Sequence, residues 1–343
     1  MNAKILRRFA IAAIVSAVLI VAAPAMADEP VRPEAQVPDP PEEIEHGMGL
    51  IFTPDAILQK FPRLPLDTAE VLEVTQLPAG VDHSAGLPPV GDQGPKGTCV
   101  AWASTYYYRT YQEGVEHGWS LALPDGSANP DHVFSPAWTF SLGGNLDDDC
   151  SGMMTADAFV IFEERGATTL SVMPNVYSPW YPPTALEEGA AFPYRASGFN
   201  LTGYPPYVYQ RWLSGYYAGY GWTPPEGDIF NAAIDVPDVG FSHSTLEGTC
   251  PNMWVDPALI QTASSRGGHL ITVIGYSDTI TFTGGLSPTA VYTGGFQIIN
   301  SWGQDYACDG KVWFPYDAWD ATLGDGNAFV RECWGAINLT NYT

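Results

Sequence analysis

The turn Gln93-Gly94-Pro95-Lys96-Gly97-Thr98 runs directly into Cys99-Val100-Ala101-Trp102-Ala103-Ser104. No other feature of the chain constrains its fold as strongly. Glycine and proline break regular structure before the cysteine. After it, Val100, Ala103, Tyr107 and Tyr111 recur at helical spacing and define one buried face. A sulfur at the first residue of a helix lies among unpaired N–H groups at the positive end of the helix dipole, which favours the thiolate. Gln93, six residues earlier, brings an amide beside it. The junction reads as a cysteine nucleophile with half of an oxyanion hole.

Downstream, the pattern changes from helical to strand-like. Ala156 to Glu164 predicts a second helix, stopped at Arg165-Gly166 with glycine as the C-terminal cap. Leu270 to Tyr276, Phe296 to Ile299 and Lys311 to Phe314 predict strands. Helices first and strands later imply an α+β fold of two packed lobes. The expected organisation is a catalytic domain over 81–343: a helical lobe over about 95–175, an insertion over about 177–222 and a β-rich lobe over about 225–343. The insertion carries 14 aromatics in 46 residues, where the chain average of 13% gives about six. These rings either pack the insertion onto the body or form a substrate-binding rim.

Lys4, Arg7 and Arg8 precede an apolar run from Phe9 to Ala23, and Ala25-Met26-Ala27 offers a cleavage site. Residues 1–27 therefore read as a signal peptide cut after Ala27, placing the protein outside the cell, at its surface or in the periplasm. Its removal leaves 11 Lys and Arg against 38 Asp and Glu, a net charge of −27 in place of −24. Such a surface repels nucleic acid and anionic membranes. Residues 28–80 begin rich in Pro and Glu and become more apolar at Leu50 to Leu58 and Phe61 to Leu66. They read equally as a linker or as a short propeptide covering the active site. The five cysteines leave at least one thiol outside any disulfide; if that is Cys99, then Cys150, Cys250, Cys308 and Cys333 allow three pairings.

A thiol nucleophile needs a base. His269 follows Gly267-Gly268 and opens the apolar run Leu270 to Tyr276, so a close backbone approach and a buried strand both fix its ring. Phe296-Gln297-Ile298-Ile299-Asn300-Ser301-Trp302-Gly303 is a strand running into a polar stop. There Asn300 can accept the imidazole N–H and Trp302 can shield that bond from water. Cys, His and Asn in these roles form a convergent variant of the catalytic triad.

These segments, together with the lead-in Leu87-Pro88-Pro89-Val90-Gly91-Asp92-Gln93-Gly94, resemble the papain-like cysteine peptidases, in particular their bacterial branch. Phe134-Ser135-Pro136-Ala137-Trp138 and Cys150-Ser151-Gly152-Met153 extend the likeness, which covers roughly Leu77 to Trp319. The resemblance implies a two-lobe fold with the site in the cleft. It assigns Cys99 as nucleophile, His269 as base, Asn300 as orienter, and Gln93 with the Cys99 amide as oxyanion donors. Gly152, Met153 and Trp302 would meet a polypeptide substrate. No cofactor and no metal are implied.

Several positions depart from the family pattern. Lys96 stands where a disulfide-forming cysteine is usual, which leaves Cys150 without its customary partner. If close to Cys99, Lys96 favours the thiolate; otherwise it is a solvated loop lysine. Val100 replaces an aromatic, Met153 replaces a substrate-facing glycine, and Tyr306-Ala307 replaces Trp-Gly, while Gly310 is kept. Cys99 and His269 are 170 residues apart, against roughly 130–150 in papain and cathepsins. The 31 residues from His269 to Asn300 leave room for a hairpin around Gly284-Gly285. Asp147-Asp148-Asp149 could bind calcium, although such a run is more often a solvated turn. The sequence thus points to an exported cysteine endopeptidase working through an acyl-enzyme. An amidase, an acyl transferase of transpeptidase or transglutaminase type, and a non-catalytic binding protein on the same scaffold are the alternatives.

Overall fold

The computed structural model describes residues 46–64, 77–146, 150–175, 182–221 and 223–339. The signal peptide, the Pro- and Glu-rich start of 28–80 and Asp147–Asp149 lie outside the described residues.

The expected helix at Cys99 forms and is longer than one regular element. Cys99–Ala101 is α-helical, Trp102–Arg109 is π-helical and Thr110–His117 is α-helical again, without a break. The wide turns have local partners. Thr110 Oγ1 donates to Thr105 O, five residues back, and Ala103 O accepts from Asn231 Nδ2 and Thr272 Oγ1 on the sheet. A carbonyl left over by the π register is thereby satisfied, and the helix is joined to the strands behind it. Pro136–Gly143 and Thr155–Glu164 are the other long helices of this lobe. The second ends as the sequence predicts, with Gly166 at φ +82° just beyond Arg165.

Among the described residues, a nine-stranded sheet supports these helices. Its main path runs β3 (Met153–Met154), β1 (Leu50–Ile51), β6 (Ser265–Thr283), β5 (Phe230–Pro237), β9 (Val330–Asn338) and β4 (Ala196–Asn200). β2 (Gly80–Asp82) and β7 (Val291–Ile299) also pair with β6, and β8 (Lys311–Pro315) pairs with β7. β6 and β7 form the hairpin expected around Gly284-Gly285, both of which have positive φ. Every pairing is antiparallel except that of β1 with β3.

Alternation along β5 divides the sheet between two cores. Phe230, Ala232, Ile234 and Val236 enter an aromatic core with Tyr209, Trp212, Phe296 and Phe314. Ala233, with Leu270, Ile274 and Trp334, faces a second core built with Tyr107, Phe140 and Phe159 from the helices. These two cores make the helical and β-rich lobes of an α+β fold. Tyr209 and Trp212 lie on the helix Pro206–Leu213 and are fully buried, so part of the aromatic-rich stretch is core.

Candidate active site

The loop Gly91–Gln93 is laced to Ser301–Gly303: Gln93 N–H donates to Ser301 O, and Gly303 N–H donates to Gly91 O. Tyr107 on the central helix accepts the Gly91 N–H and donates to Asn300 O. The segments bearing Gln93, Cys99 and Asn300 therefore meet at one place.

Cys99 is the first residue of the helix, follows Thr98 at the N-cap and is wholly buried. Burial pushes its thiol pKa up. Backbone groups of Leu270, Gly49, Val100 and Cys99 itself pull more weakly the other way, which places donors around the sulfur. One of them belongs to the residue next to His269. Lys96 is half-buried.

His269 lies on β6 with no exposure, opposite Ile234 on β5. Its Nε2–H donates to Asn300 Oδ1 at 2.7 Å. The same oxygen accepts the Ser301 N–H at 2.8 Å, which orients the amide and puts the ring proton on Nε2. Nδ1 has no hydrogen-bond partner among the described residues. Burial lowers the His269 pKa to about 4; the Asn300 bond opposes this shift and His46 adds to it. The Trp302 ring lies 4.9 Å from the imidazole, and Phe241 packs on both.

Gln93 is held on three sides. Its Oε1 accepts Ser301 Oγ–H at 2.7 Å, and its Nε2 donates to Lys96 O at 2.9 Å. The remaining Nε2–H donates at 2.7 Å to Gly47 O, a carbonyl from the chain's own N-terminal segment.

That segment forms a strap over the site. His46 stacks on Trp302 at 5.4 Å and its Nε2–H donates to Asp92 Oδ1 at 3.1 Å. Gly49 O accepts the Met153 N–H at 2.8 Å, and β1 inserts between β3 and β6, with Leu50 opposite both Met153 and Gly268. Close approach requires glycine here: a Cβ on Gly49 would lie 1.8 Å from Gly97 O, and one on Gly47 2.5 Å from Pro95 O. Beyond the site the strap is anchored by Leu58 and Leu64 in the cores and by Phe61 edge-on to Trp334 at 4.8 Å.

The structure brings together Cys99, His269, Asn300, Gln93, Trp302 and Met153. Met153 presents its backbone N–H to the strap while its side chain, 1% exposed, turns into the helical core, so a glycine is not needed for that contact. Gly152, at φ +148°, is packed beneath Gly49 O. Of the four remaining cysteines, Cys250 and Cys308 form a disulfide, while Cys150 and Cys333 are buried thiols. Sequence reasoning missed Ser301, although it stands inside the Asn-Ser-Trp-Gly motif, and Tyr107, which it treated only as core. It also missed the His46–Gly49 contacts, which carry no local pattern.

An imidazole bonded through Nε2 and open at Nδ1, near a helix-start thiol and an amide donor, can move a proton and stabilise an oxyanion. No family model matches the sequence, and no curated protein matches it. Solved structures do. Xylellain, a cysteine protease from Xylella fastidiosa, is similar over 88% of this chain and 98% of its own, at 18% identity and TM-score 0.58. Procathepsin B S9 from Trypanosoma congolense is similar over 86% and 87%, at 15% identity and TM-score 0.56. Procathepsin L2 from the Tenebrio molitor midgut is similar over 87% and 80%, at 17% identity and TM-score 0.55. The chain has the two-lobe fold of the papain-like cysteine proteases.

Proposed function

We propose that this protein is an exported cysteine endopeptidase, held closed by its own residues 46–52. The observation that carries this reading is the Gly47 carbonyl on Gln93 Nε2: a peptide carbonyl of the strap takes the N–H that the reading assigns to the oxyanion. The proenzyme state of the procathepsin structures supports the strap as a covering segment. The Cys250–Cys308 disulfide supports export, since such bonds persist in oxidising compartments. Among the described residues no helix is long and apolar enough to cross a membrane.

Once the strap gives way to a polypeptide substrate, Cys99 passes its proton to His269 Nδ1 and its sulfur attacks the carbonyl carbon. Gln93 Nε2–H and Cys99 N–H hold the oxyanion, each contributing a few kcal/mol. His269 then protonates the leaving amine, and water attacks the thioester with the imidazole as base. Asn300 keeps Nδ1 facing the sulfur throughout. Under the strap, burial raises the Cys99 pKa and lowers that of His269. In the closed state the neutral pair is thus favoured over thiolate and imidazolium.

Peptide hydrolysis and labelling by a thiol-directed acylating probe test the proposal, in the processed chain and in a strap-displacing Gly49→Ala variant. Both should cleave peptides and take one label, and Cys99→Ala should do neither. Hydrolysis that survives Cys99→Ala would overturn the reading.

A further inference from the structure

The strap shows what kind of side chain one wall of the cleft accepts. The His46 ring stacks on the Trp302 indole with centroids 5.4 Å apart and planes inclined by 19°. Its Nε2–H donates to Asp92 Oδ1 at 3.1 Å. A flat aromatic face and a carboxylate thus hold one side chain between them. Both belong to the body of the protein, where Asp92 and Trp302 pair across an antiparallel bridge.

The pair stands beside the proposed catalytic groups. Asp92 directly precedes Gln93, whose Nε2–H meets the carbonyl of Gly47, the residue after His46. Trp302 lies 4.9 Å from the His269 ring. Phe241 and Tyr306 meet the indole at interplanar angles of 76° and 83°, which fixes its plane. Asp92 is fixed as well, because Oδ1 also accepts the Gly94 N–H at 2.7 Å. Its Oδ2 bonds no described residue, and the side chain is 53% exposed with the strap in place.

An imidazole uses this place incompletely. Its two nitrogens point apart, so only one N–H reaches the carboxylate. A guanidinium is planar and always charged, stacks on an indole, and offers two parallel N–H groups to a carboxylate. We infer that Asp92 is a specificity-determining residue that selects an arginine side chain of the polypeptide substrate, laid over Trp302 where His46 lies in the closed chain. Lysine suits the place less well, being a point charge without a flat face. A neutral aromatic ring would stack but leave the carboxylate unpaired. The substrate in this inference rests on the peptidase proposal; the pairing of Asp92 with a planar cation does not.

Two measurements test it. In the full Cys99→Ser chain, His46→Arg should slow hydrogen exchange of Gly47–Leu50 at least about tenfold relative to His46→Gln, and Asp92→Asn should abolish the difference. Asparagine keeps an oxygen for the Gly94 N–H, so the turn is retained. In the Gly49→Ala chain, peptides carrying arginine or its neutral planar isostere citrulline at successive positions around the cleaved bond are compared in about 0.5 M salt, where long-range attraction is screened. At one position arginine should raise kcat/KM at least about tenfold over citrulline, and Asp92→Asn should erase that ratio by slowing the arginine peptide more than the citrulline peptide. General damage to the site would slow both alike. The inference is overturned by equal exchange in His46→Arg and His46→Gln, by a ratio near one at every position, or by a ratio that survives Asp92→Asn. A chain that hydrolyses neither peptide counts against the peptidase proposal, while the exchange comparison still decides the pairing.

Discussion

Asn300 Oδ1 serves two donors, the His269 ring and the Ser301 backbone, so it fixes both the tautomer and the tilt of the base. Asn300→Ala should lower kcat/KM of the processed enzyme by about 10²-fold or more, with the fold retained by circular dichroism. Gln93→Ala removes one oxyanion donor and should lower kcat by about 10²–10³-fold with a smaller effect on KM. Both are read from steady-state peptide hydrolysis. His269 also sets a pH dependence. In the closed chain its pKa is lowered from 6.5 to about 4. Whatever part of that burial the strap supplies favours the neutral ring, so closure is most stable where His269 is neutral and weakens as pH falls from 6.5 toward 4, because the open form takes up a proton that the closed form excludes. Glu332 works in the opposite sense, because burial raises its pKa while it accepts the Thr53 N–H of the strap. Hydrogen exchange in a Cys99→Ser chain, corrected for intrinsic rates, should show Gly47–Leu50 losing protection across that window. A flat profile would count against the His269 term dominating.

At the scale of elements, the strap depends on two glycines because backbone packs directly on backbone. Gly49→Ala puts a methyl group into Gly97 O and should dislodge β1, raising the rate of Cys99 labelling in the unprocessed chain by at least about tenfold. Time-resolved labelling followed by mass spectrometry measures it. The Cys250–Cys308 disulfide closes a span of 58 residues and holds the turn after Asn300, where Asn300 N–H donates to Gly310 O. Replacing both cysteines by serine should cost about 2–4 kcal/mol of stability in denaturant melts. The sequence made the Cys99 helix, the β6–β7 hairpin and the strands that carry His269 and lead into Asn300 legible because each has a local pattern. It hid β5, whose eight residues are all buried and so lack the polar alternation that marks a strand. β9 was hidden by Glu332, a carboxylate in a buried strand position, bonded to Thr53 N–H and Trp334 Nε1–H. A covering segment was legible only as one of two readings of 28–80, and its register was not legible at all: Leu50 pairs with residues 153 and 268, and nothing within 46–52 records that distant match.

Across the whole molecule, the net charge of −24 sets long-range behaviour that no single contact reveals. Cationic peptides should be captured faster than neutral ones, and kcat/KM for the cationic peptide alone should fall as salt rises from about 0.05 to 0.5 M. Equal salt sensitivity for both peptides would show that the field does not steer substrate. The two cores, one on each side of the sheet, mean that the strap is fastened to the body at Leu58, Phe61 and Leu64 even when its glycine end lifts. A covering segment tied down at its far end is a competitor that cannot be diluted. Its local concentration is set by tether length, in the millimolar range for short flexible connections. Opening in one molecule would then follow a clock independent of protein concentration, and only cutting of one molecule by another would quicken as the protein is concentrated. The delay before full activity, followed over a dilution series, therefore reads out whether each molecule releases itself or is released by its neighbours.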